Sequence, residues 1–466
     1  MLVILLEEES ALNKENSIVR DLTTGNPIKQ LLYFSIPFVL ANLLQQLYNM
    51  ADMIIVGQYV GSAGLTAASN AGEIATMFLF IATGIASSGQ IVISQHIGAG
   101  NRERLGKSIG TLFTFGLILA AVLTVIALIG CDFSLRLIRI PEEAMGYAHD
   151  YAFVYFCGII PVFGYNLVSS ILRGLGDSKH PFMFVAIAAV LNIILDLLFV
   201  GPLEMACFGA ALATVISQSV SFIISMCFLY KHREDFAFDF RLKSFRIDSR
   251  EIKPILKMGV PISIQSVAIT GSMLYINSLI NQLGVVAAAA TAVGNKLTLL
   301  ATVCTGAMNM AGNSIVGQNF AAKKFKRVSV TLGSILGVGL VFCCLLGTCL
   351  LIFPEQIFSL FDQNPEVLAL SHDYTLYGFF SLLGFATRAA SFSLLNGIGN
   401  SQLSFLCSIA DGIVARIGFS LLFGVAMDMG LNGFWLGGAI AGNVIGVIIF
   451  FYYLSGRWKN RKLLID

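Results

Sequence analysis

Charge is what this sequence has least of. Asp, Glu, Lys and Arg together make up 12% of its 466 residues, about half the share found in a soluble domain. A water-soluble fold of this length needs polar residues to cover its surface, and here 56% of the chain is hydrophobic. The net charge of +2 argues against a dedicated nucleic-acid surface. There is no HExxH and no CxxC. The nearest approach to a phosphate loop, Gly100 through Ser108, has the wrong spacing and lies in a basic loop between apolar runs. With no nucleophile–base or metal-ligand constellation in those runs, we expect neither an enzyme nor a cofactor, and no nucleotide site. Nine cysteines, with Cys343 and Cys344 adjacent, lie mostly inside apolar runs. They read as small packing residues rather than disulfide partners or metal ligands. The first six residues, followed by Glu7, Glu8 and Glu9, lack the basic start and the length of a signal peptide; a disordered cytoplasmic tail is expected there.

What the chain does have is long hydrophobic runs. A helix needs about 20 mostly apolar residues to cross the hydrocarbon core. Such runs lie at 31–57, 70–97, 108–130, 147–171, 181–201 and 206–229, and resume at 255–281, 288–317, 328–353, 372–395, 403–425 and 432–454. The expected fold is an all-α polytopic membrane protein with twelve transmembrane helices in two six-helix lobes. The expected divisions are an N-terminal tail (1–30), an N-terminal lobe (31–229), a linker (230–254), a C-terminal lobe (255–454) and a C-terminal tail (455–466).

Basic residues set the orientation, because cytoplasmic loops retain them. With the N-terminus inside, 24 of the 29 Lys and Arg fall in cytoplasmic segments and two, Arg136 and Arg139, in outer loops; Lys296, Arg388 and Arg416 lie within spans. Both termini are therefore expected in the cytoplasm. The linker region is the only long polar stretch between spans. Its alternating Phe236, Phe238, Phe240 and Leu242 fit either an amphipathic strap on the inner leaflet or a plain connector.

The halves are related. Ser94-Gln95 and its following basic loop recur as Gly317-Gln318, and Leu172-Arg-Gly-Leu-Gly-Asp-Ser178 recurs as Leu395-Asn-Gly-Ile-Gly-Asn-Ser401, each 223 residues on. Gly61 and Gly284 share that offset, and Ile36-Pro37 returns as Val260-Pro261 at 224. One offset serving four places means a duplicated six-helix unit. Six is even, so both copies insert the same way round, as a parallel repeat. Two like lobes are the arrangement that alternating access requires.

Ionisable groups within spans are costly and default to functional hypotheses. Here they are Asp52, Glu73, Asp196, Lys296, Arg388, Asp411 and Arg416. Asp52 lies five residues before Gly57, and Asp196 five before Gly201, each glycine at the outer end of its span. At 1.5 Å rise per residue both carboxylates sit roughly 7–8 Å below the outer boundary. Asn192 is one turn inward of Asp196 on the same face, and Thr214 on the next span reaches a similar depth. Such oxygens suit Na⁺. Two carboxylates held close also disfavour double ionisation, so the same cluster could carry a proton. Gln45 and Tyr48 extend the polar stripe along span 1. Glu73 and Lys296 occupy equivalent repeat positions and could line a substrate cavity. Asp411 and Arg416 are expected to neutralise each other or neighbours, and Arg388 has no evident partner. Pro37 is a candidate hinge, since proline removes a backbone bond. The pairs Gly57/Gly61, Gly333/Gly337 and Gly442/Gly446 have the spacing of close helix packing.

The chain resembles the MATE (multidrug and toxic compound extrusion) family of the bacterial and archaeal type. The matching residues are Pro37, Gln45-Gln-Leu-Tyr48 and Ala51-Asp52-Met-Ile-Ile-Val-Gly57; Ser94-Gln95-His-Ile-Gly98-Ala-Gly-Asn101; Leu172 through Asp177; and Asn192-Ile-Ile-Leu-Asp196. The resemblance runs from about residue 24 to 455. It implies a twelve-helix, two-lobed antiporter in the plasma membrane, exporting organic, often cationic, compounds against H⁺ or Na⁺. It implies further that Asp52, Asn192, Asp196 and Thr214 form the cation site, with no tightly bound metal, and that span 1 bends at Pro37. One departure stands out: spans 7 and 10 (Pro261 through Asn281, Tyr374 through Leu395), where some relatives carry cation-binding carboxylates, hold no Asp or Glu. Any coupling cation must therefore use the first lobe. Partners expected are small organic substrates and the lipid bilayer, without nucleic acid, for a monomer. The alternative reading is a lipid-linked precursor flippase of the same superfamily. Its cavity would be strongly cationic, whereas the spans hold three basic and four acidic residues. A channel or receptor is the more distant rival.

Overall fold

The structure is a computed structural model describing residues 18–138, 140–236 and 238–466. Most of the expected N-terminal tail (residues 1–17, with Glu7, Glu8 and Glu9) and Arg139 of the outer loops lie outside the described residues. All regular structure among the described residues is helical. Helix α1 (Pro27–Tyr59) begins where two start signals meet. The Asn26 side chain accepts from the backbone N–H groups of Ile28 (2.9 Å) and Lys29 (3.2 Å), and Pro27 takes the first helical position, where an N–H would lack a partner anyway. There follow α2 (Ser62–Gly98), α3 (Arg102–Ile129), the short α4 (Cys131–Leu137), α5 (Glu142–Cys157), α6 (Ile159–Leu175), α7 (Lys179–Val200) and α8 (Ala206–Lys231). After the connecting strap come α9 (Ser249–Asn281), α10 (Val285–Ala321), α11 (Phe325–Ile352), the short α12 (Pro354–Ser359), α13 (Pro365–Gly397), α14 (Ser401–Ala426) and α15 (Gly430–Leu454).

Eleven of these helices are long and apolar enough to span a membrane, and the pair α5–α6, bent by 49°, makes a twelfth. The chain is thus an all-α multi-pass membrane protein. The predicted span 147–171 is broken at Gly158, whose Cβ, if present, would lie 2.3 Å from the Val215 side chain of α8. Helix α14 also departs from a plain span: it turns π-helical at Ala410–Ala415 and again at Leu422–Ala426.

The chain divides into two compact units. Unit 1 holds residues 36–259, the described residues before Thr23, and Ile465; unit 2 holds residues 23–35, 260–464 and Asp466. Helix α1 therefore passes from unit 2 into unit 1 between Ser35 and Ile36, next to Pro37. Helix α9 passes from unit 1 into unit 2 between Gly259 and Val260, next to Pro261.

The repeat is visible in the backbone. Left-handed residues pair at an offset of 223: Gly61 (φ 84°) with Gly284 (112°), Gly176 (92°) with Gly399 (74°), and Gly100 (71°) with Lys323 (56°). The short helices α4 and α12 also begin 223 residues apart, at Cys131 and Pro354. The repeated 172–178 and 395–401 motifs keep glycine where helices meet. A Cβ on Gly174 would lie 2.8 Å from Ile93 of α2, and one on Gly397 2.5 Å from Val316 of α10. Of the three expected glycine-packing pairs, Gly442/Gly446 fits: a Cβ on Gly384 of α13 would lie 2.9 Å from the Gly442 backbone, and one on Gly446 2.7 Å from Thr387. Gly61, Gly333 and Gly337 face open space instead, so spacing alone misread those two pairs. All nine cysteines are free.

The strap between α8 and α9 is packed on protein, which departs from both readings of its aromatic alternation. Phe236 and Phe238 are buried and only Leu242 is largely exposed. Phe245 meets Phe113 of α3 edge-on at 6.2 Å, and a Cβ on Gly110 would strike the Ser244 carbonyl at 2.1 Å. Asp239 accepts from the Ser244 hydroxyl and the Arg241 backbone N–H, which hold its carboxyl below the usual carboxylate range.

Two arginines assigned to basic loops in the sequence have structural partners. In unit 1 Glu251, in the first turn of α9 and 1% exposed, receives Arg104 Nε (2.8 Å) and Nη2 (2.7 Å), the Ser108 hydroxyl, and His96 Nε2 at 3.0 Å. In unit 2 Arg327, 223 residues after Arg104, donates to Asn319 Oδ1 (2.9 Å), the Thr24 carbonyl (2.8 Å) and Gln30 Oε1 (2.9 Å). Equivalent arginines thus hold the first turns of α9 and the lead-in and first turn of α1. Arg173, also counted as a loop residue, is buried at the end of α6, with Nε 3.0 Å from Gln90 Oε1.

Candidate cation site

The polar stripe predicted on span 1 meets its partners inside unit 1. Asn192 and Asp196 sit one turn apart on α7 and are 2% and 0% exposed. Thr214 comes from α8, the neighbour of α7, and its Oγ1 accepts from Asn192 Nδ2 at 3.3 Å. Asp52, on α1, is close enough to act electrostatically on Asp196. Tyr48, one turn before Asp52, is buried among Gln45, Gln218 and both carboxylates. The structure therefore brings together Gln45, Tyr48, Asp52, Asn192, Asp196 and Thr214.

Helix α5 adds two residues that sequence reasoning missed. Tyr151 lies within electrostatic reach of Asp52 and Asp196, and Tyr155 of Tyr48; the two rings stack at 6.2 Å. Gln218 of α8 was also missed. Tyrosines on a membrane helix are ordinary at the interface, so nothing in the sequence marked these two as facing inward.

The site has oxygens without donors. Asp52 Oδ1, Asn192 Oδ1 and both carboxylate oxygens of Asp196 are buried and make no hydrogen bond. Buried acceptors are normally satisfied, and each one left alone costs about 1–3 kcal/mol, more when charged. Four unpaired oxygens in one place form a poor hydrogen-bond network but a suitable set of hard ligands for an alkali cation, or an acceptor for a proton. Among the described residues no group of three or more His, Cys, Asp or Glu is arranged to hold a metal ion.

The other predicted residues lie elsewhere. Pro37 is inside α1. Glu73 on α2 and Lys296 on α10 are exposed and do not join the carboxylate cluster. Arg388, without a partner in the sequence reading, donates Nη2 to Asp411 Oδ1 at 2.9 Å, and Asp411 also lies 3.6 Å from Arg416 Nη2.

Twelve spans, a repeated six-span unit and a buried carboxylate cluster poor in donors define a polytopic membrane carrier. The MatE family profile matches residues 37–198 and 261–422, once in each repeat, and the chain belongs to the MATE family of transporters. The probable multidrug resistance protein YpnP of Bacillus subtilis (strain 168) is 30% identical over 456 residues, covering 96% of this chain and 99% of its own length. YoeA of the same organism, also described as a probable multidrug resistance protein, is 29% identical and covers 92% of this chain and 94% of its own. The solved structure of a MOP superfamily transporter from Pyrococcus furiosus superposes with a TM-score of 0.86 at 24% identity, covering 96% of this chain and 99% of that one. An outward-facing multidrug resistance MATE transporter gives 0.86 at 23% identity, covering 94% and 98%. At that identity the two structures show the fold.

Proposed function

We propose that the chain is a secondary active antiporter that exports organic, often cationic compounds in exchange for H⁺ or Na⁺ by alternating access of its two lobes. The observation that carries this reading is the set of donorless oxygens on Asp52, Asn192 and Asp196. A neutralising cation would relieve their cost, so the occupied and empty lobe differ in stability, which is what coupling requires. Asp52, Asn192, Asp196 and Thr214 hold the cation. Gln45, Tyr48, Glu73 and Lys296 line the substrate path, and α1 bends at Pro37 as the site fills. The relatives described as multidrug resistance proteins support the substrate class. The protein resides in the plasma membrane as a monomer, with the Lys- and Arg-rich loops and both termini in the cytoplasm, and it uses no nucleotide.

The test is ethidium efflux from cells expressing the wild type, Asp52→Asn or Asp196→Asn, with Na⁺ and pH gradients imposed separately. Efflux should collapse in both variants and follow one imposed gradient, which names the ion. Robust efflux in both variants would remove the cation site. No efflux in the wild type would move the lipid-linked precursor flippase ahead.

A further inference from the structure

Unit 2 contains a charged cluster of the opposite sign, which the antiporter reading does not use. Helices α9, α10, α13, α14 and α15 enclose a cavity of about 110 Å³. Arg388 and Arg416 line it, together with Tyr374, Tyr377, Phe434 and Trp435, and no Asp or Glu is among its lining residues. Asp411, fully buried, sits against the two arginines, 2.9 Å from one and 3.6 Å from the other.

The charges do not balance. A guanidinium stays protonated in proteins, so two arginines face one carboxylate and one positive charge is left over. The arginine side chains are only 15% and 11% exposed, and the Nε atom of each is buried with no acceptor. A charge at membrane depth is expensive and is paired or functional. The Arg388–Asp411 pair alone would be neutral, so a purely structural role has no need for Arg416. The backbone supports this arrangement. The π-helical turn Ala410–Ala415 has the register that aligns residues five apart, here Asp411 and Arg416, and π-turns inside α-helices recur at functional sites.

We propose that this pocket binds the carboxylate of an aromatic organic acid or zwitterion, held by Arg388 and Arg416. The proposal rests on the exporter reading and extends its substrates beyond organic cations. The chemistry recognised is a monovalent anion, and a halide shares it. The walls favour the organic source: Trp435 packs edge-on to Tyr374 at 5.1 Å and is fixed by a 3.0 Å bond from its Nε1 to Thr291 Oγ1. A halide would have no use for four aromatic rings. A carboxylate would accept from the unpaired guanidinium N–H groups in charge-assisted bonds, with its ring against these walls.

Trp435 is one of two tryptophans in the chain, so its fluorescence reports the pocket once Trp458 is replaced. Full-length Trp458→Phe protein in lipid nanodiscs is titrated with benzoate and with benzamide, its uncharged isostere, in sulfate and in chloride buffers. Benzoate should perturb Trp435 saturably and bind about tenfold or more tighter than benzamide. Arg388→Gln and Arg416→Gln should each abolish that preference, whereas Asp411→Asn, which adds net positive charge, should strengthen benzoate. The opposite sign keeps the test decisive if an arginine variant misfolds, because damage does not tighten binding. Equal affinities for benzoate and benzamide, or weaker benzoate binding in Asp411→Asn, overturn the proposal. Chloride displacing benzoate at concentrations below those at which benzoate binds makes this a halide site and overturns the organic assignment. The titration needs no ion gradient, so its failure alongside intact ethidium efflux would sink this inference alone.

Discussion

Replacing Asp196 with asparagine should raise heat stability while removing the response to cations. Asp196 is fully buried and neither of its carboxylate oxygens has a donor. Each such acceptor costs about 1–3 kcal/mol, more when charged. Asparagine has the same shape, removes the charge, and places an amide N–H₂ beside Asp52 Oδ1 and Asn192 Oδ1, which are also unpaired. A gain of roughly 2–4 kcal/mol follows. At about 2–4 °C per kcal/mol for a unit of this size, Tm should rise by about 4–16 °C in Na⁺-free alkaline buffer. The wild type has another route to the same relief. A coupling ion at a hundred times its Kd stabilises by about 2.7 kcal/mol, so adding that ion should close most of the gap. Intrinsic-fluorescence melts of the purified protein, across Na⁺ at alkaline pH and across pH without Na⁺, measure both effects. A lower Tm for Asp196→Asn, or the same ion response in both proteins, would refute the reasoning.

Pro37→Ala restores a backbone hydrogen bond within α1 and should stabilise by up to about 3 kcal/mol while slowing ethidium efflux severalfold; Pro261→Ala should do the same through α9. Glu251→Ala removes the carboxylate that Arg104, Ser108 and His96 share. It should cost about 3 kcal/mol, less than a fully buried pair would because Arg104 is 27% exposed, and a melt of the double variant with Arg104→Ala should show the two losses to be less than additive. Lys323→Gly relieves a left-handed residue whose repeat counterpart is already Gly100. It should gain up to about 1 kcal/mol in the same melts, with Gly100→Ala losing a similar amount.

The twelve spans and the repeat were legible in the sequence because hydropathy over about 20 residues and a fixed offset are properties of the chain alone. Asp52, Asn192, Asp196 and Thr214 were legible because depth along a straight helix is counted in residues, and α1, α7 and α8 are continuous. What depended on geometry across helices was hidden. Gly158 breaks a span because Val215 of α8 crowds it, and Asp411 faces Arg416 because the helix turns π-helical between them; neither neighbour is implied by the local sequence. Arg388 showed no partner because Asp411 is 23 positions away on another helix. The strap's phenylalanines alternate as they would on a lipid surface, and only the small Gly110 on α3, which admits the strap, says otherwise.

The crossing of α1 and α9 between the two units bears on how such a protein arose. Each repeat surrenders its opening turns to the other unit, and equivalent arginines, Arg104 and Arg327, grip the guest segment at each place. Before duplication, a single six-helix chain with this architecture could satisfy its arginine only with the opening turns of a second copy, as a segment-swapped homodimer. Gene fusion would then have made permanent an exchange that once held two chains together. The same feature says where the modern protein can be divided. Halves cut within the strap would each still carry a segment that belongs to the other, and should reassociate when expressed together rather than fold independently.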